Sequence, residues 1–390
     1  EWGRGLRKSA LYEHLKKFGA VFGEKNGWER VNYFDAGNSW RPAGADQRAV
    51  GWNRMPYFDQ VGEEHRAARE QVALFDMSSF NKIDVHGRGA LALLQRLADN
   101  NIDKPIGSLT YTQFLNTRGG VESDLTIARL GDDHFRVTTG TAFGAQDMGW
   151  ITMHAPRDGS VEIRDVTMEY SCLGLWGPMA RRVLQKVTPD DVSNEAFPYM
   201  SARHIDIVGA IHESPLHESP VRTLAARVSY VGELGWELYF PAQHAIKLWE
   251  ALLAAGQEFG IQPAGYKALD SLRLEKGYRY WSADMTPAET PFEAGLGFCV
   301  KLDKKDFIGR EALLKAKANG LRRKLCPVTF ESVSHILYGG EAVYANNEVV
   351  GRIRSAGYGH TIRKAIGYTY LPMELADVGR QVFVDVLGEH

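Results

Sequence analysis

Cysteine is scarce in this sequence: Cys172, Cys299 and Cys326 are the three in 390 positions. They form no CxxC pair and no even-numbered framework, which excludes a disulfide-stapled scaffold. Reduced, buried thiols in a cytoplasmic compartment, or a mitochondrial matrix in a eukaryote, are expected. No apolar run approaches the roughly 18 residues that a membrane span needs, and no signal-peptide pattern opens the chain. Neither sign of charge is in excess: 46 Lys and Arg against 48 Asp and Glu leave −2. That balance excludes a general nucleic-acid footprint, so an anionic ligand requires a local basic cluster. No G-x-G-x-x-G follows a strand-like run and no G-x-x-x-x-G-K-[ST] occurs. The chain is therefore not expected to carry its own flavin, nicotinamide or nucleotide triphosphate site.

What is present is an ordinary globular composition, 44% hydrophobic and 24% charged, long enough for two or three domains and a large core. Residues 1 to about 60 are rich in Trp, Gly, Arg and Asn, with one short helical pattern at Leu11, Leu15 and Phe18, and predict an extended arm over another surface. A helix is expected from Glu63 to Phe75, a strand over Lys82–Val85, and a helical face at Leu91, Leu94, Leu97 and Ala98. Leu109–Leu115 and Val121–Ile127 flank a turn at Asn116–Gly120 and predict a hairpin. Placed symmetrically about Thr117 and Arg118, that turn sets Tyr111 opposite Asp124. A strand follows at Phe135–Thr139. Helices are predicted after Pro178, over 243–259 and from about Lys267 to Lys276. From Leu325 onward, short strands separated by glycines predict a small β-barrel. The chain opens at Glu1 without methionine and stops directly after a strand-like run. A segment or processed product of a longer polypeptide is expected, and simple trimming of the ends accounts for this equally.

The stretch Arg227–Glu237, RVSYVGELGWE, reads as a strand, a glycine turn and a returning strand. It places Glu237 among apolar neighbours, where a carboxylate must reach water or a partner. Tyr230 and Glu237 are thus either an ordinary strand pair or a recognition pair. Two carboxylate oxygens can accept from an N–H and an amino group side by side. Asp124, in GGVESDLT, either makes cross-strand hydrogen bonds or serves as a base or cation stabiliser, oriented by Tyr111. Arg273 either pairs with Asp270 or Glu275, or meets an anionic ligand together with Lys276 and Arg279. Tyr278 is packing or stacking surface. The tandem HESPLHESP at 212–220 could hold a metal through His212 and His217, but a solvated acidic loop is the simpler reading, and no metal site is assigned.

RVSYVGELGWE, YTQFLNTRGGVESDLT, AGYKALDSLRLEKGYRYW and PFEAGLGFCV, in this order, resemble the aminomethyltransferase (glycine-cleavage T-protein) family. More closely, they are similar to the folate-binding C-terminal half of dimethylglycine and sarcosine dehydrogenases. FDMSSFNKIDVHGRGA, VSNEAFP and FIGREAL extend the resemblance over essentially the whole chain. The resemblance implies a three-lobed α+β cloverleaf around a central folate channel. It divides the chain into an arm over 1–60, a two-lobed folate-binding domain over 61–315 and a C-terminal β-barrel over 316–390. It implies tetrahydrofolate as cofactor, Asp124 as the catalytic residue, and Tyr111, Tyr230, Glu237, Arg273 and Tyr278 as folate contacts. The expected activity is one-carbon transfer from a methylated amine, with a fused or partner oxidase domain supplying the carbon and any FAD. Rival expectations are a demethylase or methyltransferase acting on dimethylsulfoniopropionate or trimethylamine N-oxide, and a regulatory homologue without catalysis. The chain departs from the pattern in lacking the flavin half and the usual tail, and in carrying HESPLHESP.

Overall fold

The computed structural model describes residues 3–35, 55–208, 219–330, 336–386 and 388. Two sheets position everything that follows. The first has five strands in the order Leu109–Leu115, Val121–Arg129, His134–Thr139, Asn81–His86 and Glu162–Asp165. The second has six, in the order Ala202–Ile207, Val221–Ala226, Gly235–Pro241, Tyr170–Trp176, Val72–Asp76 and Ile261–Ala264. Pairing is antiparallel except between the last two strands of the second sheet.

Strand alternation turns sequence into layers. Along Val121–Arg129, Leu125 and Ile127 are buried against the helix Ala90–Leu97, while Asp124 and Thr126 emerge half-buried on the opposite face. On the second sheet, Leu173, Leu175, Trp236, Leu238 and Phe240 bury against the helices Ala180–Val187 and Ala245–Gly256. The remaining faces of the two sheets meet through Leu109, Ala128, Cys172, Leu224 and Tyr239. The result is helix, sheet, sheet, helix, with a partly polar layer in the middle.

Three expectations change. The helix expected to run to Phe75 ends at Glu70, and Val72–Asp76 is a strand. Val72 to Phe75 are all buried, and such a short apolar run has the same pattern whether it is helix or buried strand. The N-terminal segment holds the expected short helix, Tyr12–Lys17, but instead of an extended arm a hairpin of Ala20–Lys25 and Trp28–Phe34 follows it. Leu11, Leu15, Phe22, Val31 and Phe34 join the core of the second sheet. The C-terminal strands form a five-stranded sheet, in the order Arg323–Phe330, Lys364–Pro372, Glu348–Gly359, Ala342–Ala345 and Phe383–Val384. Among the described residues its outer strands do not pair to close a barrel. This sheet packs on the helix Tyr266–Glu275 through Leu274, Tyr368 and Tyr370. The HESPLHESP segment lies, except for its last two residues, outside the described residues. No described helix is long and apolar enough to cross a membrane.

Gly235 shows why the motif GELGWE carries its second glycine. A Cβ there would stand 2.1 Å from the Leu175 carbonyl oxygen, where backbone meets backbone and neither yields. Gly235→Ala is expected to cost about 1–3 kcal/mol, as overpacking does, read as a lower midpoint in urea with an unchanged slope.

A polar layer between two sheets as the candidate functional site

Asp124 projects from the first sheet into the middle layer, directly paired across the strands with Gln113. The Gln113 amide nitrogen donates to it at 2.9 Å, and the Tyr111 hydroxyl makes a second hydrogen bond. The register is two residues from the symmetrical placement, with Tyr111 opposite Thr126 and a bulge at Phe114–Leu115. A two-residue shift keeps every side chain on its face, so Tyr111 becomes Asp124's diagonal neighbour. Burial pushes the Asp124 carboxyl up to about 6, against the opposing pull of the Tyr111 and Gln113 hydrogen bonds. The Oε1 of Gln113 is buried without a hydrogen-bond partner.

Glu237 comes from the middle of the second sheet, paired with Ala226 on one side and Gly174 on the other. It lines a narrow gap of about 10 Å³ between the sheets, room for about one water, together with Thr126, Arg136, Thr138 and Tyr239. Tyr239, two residues along on the same face, donates its hydroxyl to Glu237. Burial lifts the carboxyl to about 7, opposed by that hydrogen bond and by Lys82. Lys82 is fully buried and donates to the carbonyl oxygens of Ser78 and Phe80 at 2.9 and 2.8 Å.

Tyr230 is not on a strand. Residues 227–234 are an irregular connection between Val221–Ala226 and Gly235–Pro241, so the expected tight hairpin is instead a long one. Its turn is nevertheless glycine-dependent, with Gly232 at φ 76°. The Tyr230 hydroxyl donates to the Arg279 carbonyl, and its ring stacks on Tyr278 with centroids 6.0 Å apart. Exposed Tyr199 and Phe298 flank these groups: Tyr199 lies near Tyr278, and Phe298 stacks on Tyr111 at 6.4 Å.

Arg273 is placed differently from a free anion receptor. It is 3% exposed. Nε donates to Asp270 at 2.9 Å, Nη1 to Asp284 at 2.8 Å and to the Tyr278 carbonyl at 3.2 Å, and Nη2 to Ser355 at 2.9 Å. Its guanidinium is committed to the protein, and it fixes the segment that carries Tyr278 and Arg279. Tyr230, Tyr278 and Arg273 are thus one assembly, and Asp124 and Tyr111 lie within electrostatic reach of Tyr230. Sequence reading missed Gln113 and Tyr239. Both were findable, since each stands two residues from a singled-out neighbour on the same strand face.

The profile described as "GCVT N-terminal domain" matches residues 11–304, and "Glycine cleavage T-protein C-terminal barrel domain" matches residues 323–390. Mitochondrial dimethylglycine dehydrogenase of Mus musculus is 36% identical over 386 residues, covering 98% of this chain and 42% of that protein. The formaldehyde-forming 4-methylaminobutanoate oxidase of Paenarthrobacter nicotinovorans is 39% identical over 406 residues, covering 100% of this chain and 47% of that protein. The chain thus spans about half the length of these relatives. The solved structure of glycine cleavage system aminomethyltransferase T from Bartonella henselae superposes with a TM-score of 0.80 at 25% identity, covering 99% of this chain and 95% of that one. The chain belongs to the folate-dependent aminomethyltransferase (glycine cleavage T-protein) family.

Proposed function

We propose that this chain binds tetrahydrofolate and transfers to it a one-carbon unit from a methylated amine of the dimethylglycine or sarcosine type, delivered as an iminium or as formaldehyde. The product is 5,10-methylenetetrahydrofolate. The carrying observation is a pair of carboxyls in one inter-sheet layer, Asp124 and Glu237, lifted to about 6 and 7 and each fixed by a tyrosine. Two acids with separate supports and separate titration suit separate tasks.

The residues fit a reduced folate. Glu237 can accept from an N–H and an amino group side by side, and the two sheets part around its narrow gap to admit the ring. The Tyr230 and Tyr278 rings offer a stacking surface. Bound tetrahydrofolate supplies the nucleophilic nitrogens that accept the carbon. Asp124 accepts a proton or stabilises positive charge next to those nitrogens, and Tyr111 and Gln113 hold its orientation. A water-poor layer raises the effective concentration of the carbon unit and limits its loss to hydrolysis. The carbon comes from an oxidising domain, fused or separate, that carries the flavin.

Titration calorimetry with tetrahydrofolate tests the reading. Below pH about 7, affinity is expected to fall about tenfold per pH unit as Glu237 takes up a proton and loses an acceptor. Glu237→Gln should weaken binding and flatten this dependence. The same variant should be more stable than the parent above neutrality. Folded Glu237 titrates near 7 instead of 4.5, so between those values the folded state holds a proton that the unfolded chain has released. Stability therefore drops as pH rises through that window, by at most about 3 kcal/mol, and glutamine escapes the loss. Unchanged affinity and an unchanged pH profile in Glu237→Gln would remove it from the folate site.

A further inference from the structure

On the same face of the first sheet as Asp124, toward the opposite end of the inter-sheet layer, two histidines stand directly across an antiparallel pair: His86 opposite His134. Their rings stack with centroids 3.9 Å apart. Asp84 lies two residues from His86 on the same strand face. Its Oδ2 is 3.3 Å from His134 Nε2 and 3.9 Å from His86 Nε2, and the three atoms lie within 4.8 Å of one another. A tetrahedral ion with bonds of about 2.0–2.1 Å spaces its ligand atoms about 3.3–3.4 Å apart. The Asp84–His134 pair already has that spacing, while the 3.9 Å Asp84–His86 separation and the ring stack require the exposed His86 ring to turn toward the ion. We propose that Asp84, His86 and His134 form a binding site for one divalent transition-metal ion of the zinc type, joined through Arg136 to the gap that Glu237 lines.

The surroundings shape the site. Arg136 Nε donates to Asp84 Oδ1 at 2.7 Å and Nη2 to Oδ2 at 2.9 Å, which fixes the carboxylate plane with Oδ2 toward the imidazoles. Orientation of a ligand by an outer hydrogen bond is a general feature of metal centres. The same guanidinium opposes any cation by charge, although it also lies over the Tyr170 ring, 4.2 Å from its centre. Hard ions held by charge alone are disfavoured there. Ions with strong imidazole bonds, such as zinc, cobalt, nickel and copper, are selected. The histidine side chains are 36% and 33% exposed and Asp84 is 7% exposed, so the site is open to solvent on one side and anchored on the other. Exposed Glu162 pairs with His86 on the strand beyond and is placed to supply a fourth ligand. A bound ion would pin three adjacent strands at the sheet edge.

The test uses the full chain, stripped with a chelator and titrated with Co²⁺ under visible absorption, then with Zn²⁺ in competition. One Co²⁺ per chain with a tetrahedral d–d band, displaced by Zn²⁺, is expected. His86→Ala and His134→Ala should each weaken binding tenfold or more, with circular dichroism unchanged. His212→Ala/His217→Ala, which removes the histidines of the HESPLHESP repeat, should bind as the parent does. In the unaltered protein, bound Cu²⁺ should show coupling to two nitrogens by electron paramagnetic resonance, independent of how any variant folds. Absence of stoichiometric binding, retention in both His86→Ala and His134→Ala, loss only in the repeat variant, or an all-oxygen copper signal would each overturn the proposal.

Discussion

Asp124→Ala is expected to lower the rate of 5,10-methylenetetrahydrofolate formation by about 10²–10⁴-fold, the contribution of a positioned acid–base group. Tetrahydrofolate affinity should move only a few-fold, because the proposed anchoring carboxylate is Glu237, on the other sheet. The two roles separate in pH as well. Asp124 titrates near 6, so the catalytic rate should rise through pH 6 as the carboxylate forms, while binding follows Glu237 near 7. Asp124→Asn keeps the shape and one acceptor oxygen but cannot take a proton, and should lose the pH 6 limb together with the rate. Gln113→Leu probes the support: it removes the 2.9 Å donor, so the apparent value should climb above 6 with a smaller loss of rate. Full turnover in Asp124→Ala, measured above the spontaneous reaction of formaldehyde with the cofactor, would exclude a catalytic role.

How much of this was legible in the sequence depends on the range of the interaction that decides each feature. Alternation over YTQFL and VESDLTI showed which residues share a face, because a pleat has period two whatever its partner. It could not fix the register, since the bulge at Phe114–Leu115 is set by the packing of the 116–120 turn: a Cβ on Gly120 would stand 1.9 Å from the Pro287 carbonyl oxygen. Glu237 was conspicuous as a carboxylate between Trp236 and Leu238. That it faces a gap shared with Thr126 and Thr138 requires two sheets to meet, bringing together residues about a hundred positions apart in sequence. The His86–His134 pair was invisible for the same reason: neither residue has a ligand-like spacing, and only cross-strand pairing joins them. Arg273 shows the reach of a local pattern from the other side. Its expected pair with Asp270, one helical turn away, is present at 2.9 Å, whereas its partners Asp284 and Ser355 come from segments that a local pattern does not bring near.

Those partners make Arg273 the position where a single substitution should cost most stability. Its pair with Asp284 is sealed, with Arg273 3% and Asp284 0% exposed. Asp284 also accepts from the backbone nitrogens of Tyr280 at 2.8 Å and Ser355 at 3.1 Å. Removing the guanidinium in Arg273→Met leaves a buried carboxylate with two amide donors and no counter-charge, which typically costs about 3–5 kcal/mol. For a protein of this size that corresponds to a fall in Tm of roughly 5 °C. Neutralising the survivor should recover much of the loss: Asp284→Asn in the Arg273→Met background keeps an acceptor oxygen and removes the stranded charge. Folate binding discriminates between the roles. If Arg273 acts by holding the Tyr278–Arg279 segment beneath Tyr230, affinity should return with stability in the double variant. If the guanidinium itself contacts the cofactor, stability returns and affinity does not.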